Sequence, residues 1–459
     1  MAFIIKSAKT VRTHWKKSTF GACLLMYGVK FGNEKERFFT YKQCSREELI
    51  RREFCAEAVG YGSKIMLYNE KPRRVTVFLN PAVKGGKGTK LFTKTAAPIL
   101  YLSGMEVNVV KTEYEGQVKE FIKVLESQDT DAIVIAGGDG TLLEAVTGLM
   151  RKEDKNLRNN IPIGIIPLGK TNRFAKLLFG NDLNQVRLIA ESAMAIIKGD
   201  TSQFDVMKIE VGEYVEYYFI FKNHVLLKHS VVGRRGKTTY AVSGLEAGLY
   251  RDAEQRKVKN WYFGPLKHYW TYIRTTLRND WPANFKGKMS YVEATSENTK
   301  LVAPKVEAPP KSRTWSWLGL LYNQSPKPAA STSDFVMDSS TDAEQERDIA
   351  AVELTVMSSN YKNENTVPSL AVGIGPAEPG RQELISEGWR RVKKRETTLS
   401  LGTDSNEQIH VKSMRLVPDQ ETCEGQWFNI DGEAFEAMPI TISLLRNKLR
   451  VYTRPVSVT

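Results

Sequence analysis

The sequence predicts an α/β domain with a parallel sheet and helices on both faces, followed by a mainly β, sandwich-like domain. Two observations support this prediction. Between about residues 73 and 200, short apolar runs alternate with stretches of helical length, which is typical of a parallel sheet with helical crossovers. From residue 201 onward the texture changes to short β-rich runs, which favours a second domain built mainly of strands.

Four strands are predicted in the α/β domain, each followed by a helical stretch, and the last by two. They are VTVFLN (75–80), MEVNVV (105–110), AIVIA (132–136) and IPIGII (161–166). In the second domain, strands are predicted at EYVEYYFIF (213–221), AVELTVM (351–357), ITISLL (440–445) and LRVYTR (449–454).

The amino-terminal segment has its own composition. Residues 1–33 carry Lys and Arg but no Asp or Glu, which is typical of a transit peptide. The uncharged run at 18–29 would rise only about 18 Å as a helix, against a hydrocarbon core of roughly 30 Å. We therefore expect this segment to target the chain and to associate with a membrane surface. Residues 34–72 are expected to form a helical connector.

A further segment, from about 293 to 350, is rich in Ser, Thr, Pro, Ala and Lys. It offers few apolar residues to offset the entropy of ordering, so a disordered insertion in the β domain is predicted. Its apolar island TWSWLGLLY (314–322) either contacts a membrane or a partner, or folds back onto the β domain.

Composition narrows the classes of function. Lys plus Arg number 66 against 52 Asp plus Glu, and the net charge of +14 favours an anionic partner. Charge alone does not choose among nucleic acid, an acidic membrane surface and a phosphorylated ligand. The four cysteines form no CxxC pair, the five histidines form no HExxH pair, and GxSxG is absent. These absences argue against zinc sites, metallohydrolases and serine hydrolases.

Three glycine-rich loops follow predicted strands, in FLNPAVKGGKGTKLF (78–92), AGGDGT (136–141) and IPLGKTNRFA (166–175). In an open α/β sheet such loops collect at one edge, where backbone N–H groups and helix dipoles suit a phosphate. None is a Walker A loop, because Gly88 stands where Ser or Thr should follow the lysine, and none fits GxGxxG. The sequence therefore predicts a phosphate site of another kind.

Two carboxylate motifs complete the candidate chemistry. Asp139 in the GGDG loop is expected to organise metal and phosphate, or to accept a proton. NIDGE (429–433) supplies Asp431 and Glu433, which alone would be read as a surface turn. In the helix after GGDG, the spacing of Leu142, Val146 and Leu149 predicts one buried face and leaves the other free to meet a ligand.

These motifs, together with TEYEG (112–116), resemble the lipid-kinase family that contains bacterial diacylglycerol kinases, ceramide kinase and sphingosine kinases. Longer strings such as VKTEYEGQ, AGGDGTLLEAVTG and NWYFGPLK are most similar to its mitochondrial acylglycerol kinase branch. The similarity runs from the first residues to about 210, resumes at 240–275 and again near 425–455. It covers well over half of the chain.

The resemblance implies a kinase with an ATP-binding α/β domain at 73–200 and a lipid-binding β domain at 201–459, using ATP and Mg²⁺. The implied acceptors are monoacylglycerol and diacylglycerol, giving lysophosphatidic and phosphatidic acid, with ceramide and sphingosine as further candidates. The implied location is the mitochondrial inner membrane, facing the intermembrane space. The implied partners are an anionic membrane surface and subunits of the inner-membrane carrier translocase, and no nucleic acid.

Carried over position by position, the resemblance also implies site residues. Asp139, Asp431 and Glu433 would be catalytic, the last two also holding Mg²⁺, and Asp252 would bind the lipid head group. The implied ATP contacts are Asn80, Pro81, Lys84, Gly86, Lys87, Gly88, Thr112, Gly137, Gly138, Gly140, Thr141, Glu144, Gly169 and Lys170.

Two departures from the family pattern stand out. The third loop reads G-T-x-N-D in the wider family, but Lys170 and Arg173 replace its Thr and Asp here, and residues 222–239 have no counterpart. Two other readings stay open. One is an enzyme like NAD kinase, which also uses a GGDG loop, and the other is a non-enzymatic scaffold of an import complex. The NIDGE motif and the acid-free terminus favour a lipid acceptor.

Overall fold

The computed structural model describes residues 43–64, 71–221, 224–234, 238–277, 281, 285–294, 344–361, 368–394, 406–419 and 426–454. They form two compact units. The first contains the described residues up to Phe204, the short segment Asp431–Glu433, and the chain from Asn447 onward. The second contains Asp205–Ile430 and Ala434–Arg446.

The first unit is an alternation of strands and helices. Its helices are α1 (43–62), α2 (Lys87–Leu91), α3 (Ala97–Leu102), α4 (Gln117–Val124), α5 (Asp139–Met150), α6 (Lys155–Asn160), α7 (Arg173–Phe179) and α8 (Gln185–Lys198), with a π-helical turn (Phe92–Ala96) joining α2 to α3. Its strands are β1 (Arg74–Leu79), β2 (Glu106–Lys111), β3 (Ala132–Gly137) and β4 (Ile163–Pro167).

The four strands form a parallel sheet in the order β2-β1-β3-β4. The last strand that the structure describes is β16 (Ile440–Tyr452). Its end pairs with β4 in the parallel direction, with Val451 opposite Ile163. Strands β3 and β4 are buried along their whole length, as expected of parallel strands covered on both faces. The predicted α/β domain and its four strands are confirmed.

The second unit is mainly β. Its strands are β5 (Thr201–Phe221, whose first four residues belong to the first unit), β6 (His224–Arg234), β7 (Thr239–Ala241), β8 (Gly244–Gly248), β9 (Phe285–Glu293), β10 (Gln345–Ala351), β11 (Glu353–Met357), β12 (Leu370–Ile374), β13 (Glu407–Pro418), β14 (Trp427–Ile430), β15 (Glu433–Glu436) and the first part of β16. Its helices are α9 (Leu249–Arg256), α10 (Lys267–Thr276) and α11 (Arg381–Lys394), with 3₁₀ turns at Lys257–Leu266 and Ser359–Tyr361.

The strands of this unit are antiparallel, in the order β14-β8-β11-β12-β13-β16. Strand β9 also pairs with β13, and β10 pairs with β9. The β-rich second domain is thus confirmed. It also contains α9, α10 and α11, which the short β-rich runs did not indicate.

Several boundaries differ from the sequence expectation. Strand β10 occupies the last residues of the predicted insertion, because Gln345–Ala351 pairs with β9. ITISLL and LRVYTR form one strand, β16, rather than two. Within the stretch 222–239, residues His224–Arg234 form β6, paired with β5. The basic segment 1–33 and the island 314–322 lie outside the described residues.

The units also differ from the continuous domain expected at 201–459. Asp431–Glu433 and the end of β16 belong to the first unit, because their contacts are made there. Among the described helices, none is long and apolar enough to cross a membrane.

Candidate active site

The three glycine-rich loops meet at the carboxyl edge of the first unit's sheet. Asn80, after β1, donates from Nδ2 to Thr141 Oγ1 over 3.1 Å, and its backbone N–H donates to Ala136 O. The backbone N–H groups of Leu168 and Gly169, after β4, donate to Gly137 O over 2.8 and 3.1 Å. The sheet order β1-β3-β4 makes these loops neighbours, as the strand pattern predicted.

Glycines allow this close approach at defined points. A Cβ atom at Gly169 would lie 2.7 Å from the Cα of Gly138, and one at Gly137 would lie 2.7 Å from the side chain of Thr141. Both distances are shorter than real Cβ contacts, so larger residues would push the loops apart. Gly86 has φ 85°, the left-handed conformation that glycine adopts without strain.

Asp139 links the second loop to the third. Its side chain is 7% exposed, and it accepts hydrogen bonds from Thr171 Oγ1 and from the backbone N–H of Arg173 at 2.9 Å. Burial raises the pKa of Asp139, and the bonds to Thr171 and Arg173 oppose that rise. Both carboxylate oxygens are engaged at the start of α7, so Asp139 ties the second loop to the third. Its role toward metal, phosphate or a proton stays a prediction.

The NIDGE motif delivers its carboxylates to the same place. A Cβ atom at Gly140 would lie 2.6 Å from Glu433 Cδ, so only glycine leaves room for the Glu433 side chain beside the start of α5. A Cβ atom at Gly432 would lie 3.5 Å from that of Asp139. Asp431 is 1% exposed and adopts φ 45°. The distant motif and the GGDG loop therefore form one cluster within the first unit.

Acidic neighbours surround Glu433. Burial raises the pKa of Glu433, and the nearby Glu115 and Glu144 raise it further, Glu115 also through a hydrogen bond. Burial likewise raises the pKa of Glu144, opposed by the backbone N–H of Gly116 and assisted by Glu115. Negative charges that crowd in this way favour a bound cation or a bound proton.

Basic side chains from the first loop, the third loop and α7 also come near one another. Burial lowers the pKa of Lys84, and Lys170 and Lys176 lower it further. Burial also lowers the pKa of Lys176, with Asp139 acting in the opposite direction. The cluster of anions and the cluster of cations both belong to the first unit.

The remaining predicted residues lie in varied settings. Thr112 is buried, and its N–H donates to Leu79 O over 2.9 Å, while Gly88 N–H donates to Val83 O over 3.2 Å. Pro81 and Lys87 lie in the first loop and at the start of α2. Asp252 lies in the second unit on α9, where it accepts from Arg251 over 3.0 Å and pairs with Arg256. The nucleotide and lipid contacts of all these residues stay predictions.

The burial of helix α5 differs from the sequence prediction. Its outer face was predicted to be free for a ligand, but ten of its twelve residues are buried. A Cβ atom at Gly148 would lie 3.1 Å from the Cα of Lys119 and 3.4 Å from Ile122, so α4 packs on that face. The part of α5 that belongs to the site is its first turn, at Asp139 and Gly140, together with Glu144, whose carboxylate neighbours Glu433.

Sequence reasoning missed several residues of the site. Thr171 and Arg173 hold Asp139, Lys176 joins the cations, Gln185 accepts from Lys84, and Glu115 neighbours Glu433. Glu115 lies in the quoted motif TEYEG, and Thr171 and Arg173 lie in the third glycine-rich loop, although no role was predicted for them. Lys176 and Gln185 reach the site through the packing of α7 and α8, which no local pattern reports.

The residues present fit a divalent cation that arrives with a nucleotide. Among the described residues, no group of three or more His, Cys, Asp or Glu could hold a metal alone. Mg²⁺ is commonly held by one or two carboxylates together with substrate phosphates and waters. The NIDGE turn supplies two carboxylates beside the GGDG loop, Asp431 and Glu433, which meets that number.

Comparison with known proteins shows the family to which this chain belongs. A family model described as the diacylglycerol kinase catalytic domain matches residues 74–209, and one described as the acylglycerol kinase C-terminal matches 242–458. The mitochondrial acylglycerol kinase of Homo sapiens is 33% identical over 449 residues, covering 97% of this chain and 96% of its own length. That of Xenopus laevis is 33% identical over 462 residues, covering 99% and 96%.

Among solved structures, a diacylglycerol kinase from Bacillus anthracis strain Sterne is similar at 17% identity. The match covers 85% of this chain and 100% of that chain, with a TM-score of 0.47. The relatives in sequence carry the assignment, because their identity extends over nearly the whole chain. This chain belongs to the acylglycerol kinase family, and it is an ATP-dependent lipid kinase.

Proposed function

We propose that the chain transfers the γ-phosphoryl group of ATP to the hydroxyl of monoacylglycerol and diacylglycerol, giving lysophosphatidic and phosphatidic acid. The observation that supports this is the meeting of three glycine loops with Asp139 and Asp431–Glu433 in one compact unit. Phosphoryl transfer depends mainly on positioning and on neutralising charge, and this cluster supplies phosphate donors, cations and carboxylates together.

Each part of the cluster has a task in this proposal. Backbone N–H groups of the glycine loops and the nearby lysines bind the phosphates. Asp431, together with the nucleotide phosphates, would hold Mg²⁺, which neutralises phosphate charge when bound and leaves the Glu433 carboxylate for the acceptor hydroxyl. Asp139 keeps the second and third loops in register through Thr171 and Arg173.

The proton of the acceptor hydroxyl goes to Glu433 as the lipid oxygen bonds to the γ-phosphorus and ADP leaves. Glu433 suits this step better than Asp431, since Glu433 is only partly buried whereas Asp431 is 1% exposed. A carboxylate whose pKa burial has raised is also a stronger base than an ordinary one.

One assay tests the acceptor. The purified full chain is incubated with Mg²⁺ and ATP labelled at the γ-phosphate, and offered monoacylglycerol, diacylglycerol, ceramide, sphingosine or NAD. We expect labelled lysophosphatidic and phosphatidic acid, and the yield from ceramide and sphingosine defines the acceptor range. Label on NAD alone would overturn the lipid proposal. No label on any acceptor would favour the scaffold reading.

A paired substitution tests the loop. Gly138→Glu should abolish transfer, because its carboxylate would enter the space expected to hold phosphate. Gly138→Ala is the matched control, since its Cβ would lie 3.4 Å from Gly169 Cα, an ordinary contact. Circular dichroism should show both variants folded. Full activity in Gly138→Glu would refute the placement of phosphate at this loop.

The location is part of the proposal. We place the chain at the mitochondrial inner membrane, facing the intermembrane space and in contact with anionic lipid and carrier-translocase subunits. Support comes from the acid-free basic segment 1–33 and from relatives whose names carry the word mitochondrial. Protease protection in isolated mitochondria tests the location. Co-purification of translocase subunits with wild type and Gly138→Glu tests whether partner binding is independent of catalysis.

A further inference from the structure

Lys84 lies within electrostatic reach of two further lysines, which come from separate elements of the first unit. Lys84 lies in the loop after β1, Lys170 in the loop after β4, and Lys176 in α7. Lys84 and Lys176 are half-buried, whereas Lys170 is exposed. Asp139 offsets part of the repulsion at Lys176, and a bound anion would relieve the rest. The site to which these lysines belong is the one proposed to take the nucleotide.

The hydrogen-bond partner of Lys84 is a neutral amide, which does not neutralise the lysine. Lys84 has a left-handed backbone, φ 54°, and its Nζ donates to the amide oxygen of Gln185, the first residue of α8. Elsewhere in the first unit, Lys198 pairs with the carboxylate of Glu57 at 2.9 Å. An amide orients an ammonium group without neutralising it, so Lys84 is held in place and its charge stays available to an anion.

Gln185 also contributes an unsatisfied donor. Its Nε2 is buried and has no hydrogen-bond acceptor among the described residues. The amide oxygen is used by Lys84, so an acceptor such as a phosphate oxygen would complete the hydrogen bonds of Gln185. The corner therefore offers positive charge and a donor together.

We infer that Lys84, Lys170 and Lys176 form one cation cluster that binds the polyphosphate chain of the nucleotide, and that Gln185 positions Lys84 within it. This rests on the proposed function and deepens it, because it adds Lys176 and Gln185 to the nucleotide site. It also explains the departure of the third loop from the family pattern. Lys170, where the wider family has Thr, adds a cation to a cluster that Lys84 and Lys176 already form.

The test uses four variants of the full chain, Lys176→Met, Gln185→Ala, Gln185→Glu and the control Lys94→Met, whose side chain is exposed on the π-helical turn. Two quantities are measured for each. One is KM for ATP, beside kcat and KM for monoacylglycerol. The other is the affinity for inorganic tripolyphosphate, from the shift of thermal unfolding, which requires no catalysis.

Lys176→Met should raise KM for ATP by about tenfold, the scale of one charge-assisted hydrogen bond, and weaken tripolyphosphate equally. Its KM for monoacylglycerol should not change. Gln185→Ala should raise KM for ATP by roughly threefold, because Lys84 loses one hydrogen bond. Gln185→Glu should raise it more than Gln185→Ala, since the new carboxylate keeps Lys84 in place but cancels its charge. Lys94→Met should match wild type.

Wild-type affinities in Lys176→Met, with lipid phosphorylation intact, would overturn the cluster and leave the proposed function standing. An ATP affinity in Gln185→Glu as good as wild type would overturn the positioning role, because a merely structural residue tolerates this near-isosteric change. Tripolyphosphate binding that depends on Lys176, in a wild-type chain that phosphorylates no lipid, would support the cluster and refute the proposed function.

Discussion

Charged side chains cluster in both units, but the clusters differ in how their charges are paired. In the second unit, Glu353 and Arg391 are each 4% exposed and form a bidentate ion pair at 2.7 and 2.8 Å. Arg391 also pairs with Glu387 at 2.8 Å and lies 4.0 Å from the ring of Tyr250. Every charge there faces its opposite, and hydrogen bonds to Glu353 and Glu387 raise the pKa of Arg391 against the effect of burial.

In the first unit, like charges face like charges. Glu433 lies beside Glu115 and Glu144, and Lys84 lies beside Lys170 and Lys176. Such crowding opposes folding, and a ligand that carries both a cation and an anion would relieve it. Oppositely charged partners thus stabilise the second unit, whereas the charges that crowd without such partners mark the site in the first.

The largest effect is expected at the buried ion pair. Arg391→Met leaves the Glu353 carboxylate buried without a partner, which should lower the free energy of unfolding by about 3–5 kcal/mol. Urea unfolding of the full chain measures the loss. The double variant Arg391→Met/Glu353→Leu is the control and should recover most of it, because no charge is left unpaired. A loss below about 1 kcal/mol in the single variant would show that the pair does not stabilise this unit.

The next effect should appear in catalysis rather than stability. Gly140→Ala displaces the Glu433 side chain, so kcat should fall about a hundredfold, equivalent to about 2.7 kcal/mol. Unfolding should change little, because the displaced group is the end of a flexible side chain. Gly138→Ala serves as the control, with rates near wild type. Equal kcat values for the two variants would separate Glu433 from the reaction.

A smaller effect should appear in the pH profile. Burial, Glu115 and Glu144 raise the pKa of Glu433, and the reaction needs its carboxylate form, so activity should rise with pH through that raised pKa. Glu115→Gln removes one negative neighbour, which should move the acid limb of kcat/KM to lower pH. A limb that stays in place would show that another group controls it.

The same substitution has a stability consequence with a definite sign. A carboxyl group whose folded pKa exceeds its unfolded value binds its proton more tightly in the fold, so stability falls as pH rises through that window. Glu115→Gln should therefore be more stable than wild type above the window, and equal to it below. Urea midpoints at several pH values measure this.

The smallest effect is expected at an exposed pair of the second unit. Arg347 and Glu407 lie 2.7 Å apart, but their side chains are 45% and 48% exposed. Glu407→Gln should cost only about 0.5 kcal/mol at neutral pH, and less in high salt. The bond to Arg347 lowers the pKa of Glu407, so this contribution is lost as pH falls through that value. A loss comparable to that of Arg391→Met would contradict the role assigned to burial.

Much of the first unit could be predicted because its strands are continuous apolar runs. Strands β1 to β4 begin and end within two residues of the predicted bounds, and the glycine loops follow them as expected. The second unit was harder. Strand β10 reads QERDIAA, with little apolar content, and it is a strand only because β9 supplies its partner.

The site residues that lie in local sequence motifs could be predicted. Those that reach the site through the packing of helices could not. GGDG and NIDGE pointed to Asp139 and Glu433, but no pattern indicated that Asp431–Glu433 would join the first unit. The bonds from Thr171 and Arg173 to Asp139 depend on where α7 begins. The burial of α5 depends on α4, so its sequence alone suggested an open face.

We propose that the GGDG loop and the NIDGE carboxylates act together in transferring phosphate to a lipid hydroxyl. The most direct measurement is the initial rate of labelled lysophosphatidic acid formation from monoacylglycerol and ATP, for wild type, Gly138→Ala and Gly140→Ala side by side. We predict similar rates for the first two and about a hundredfold lower rate for Gly140→Ala, with ATP still bound. Equal rates for all three, or no lipid product from wild type, would contradict the claim.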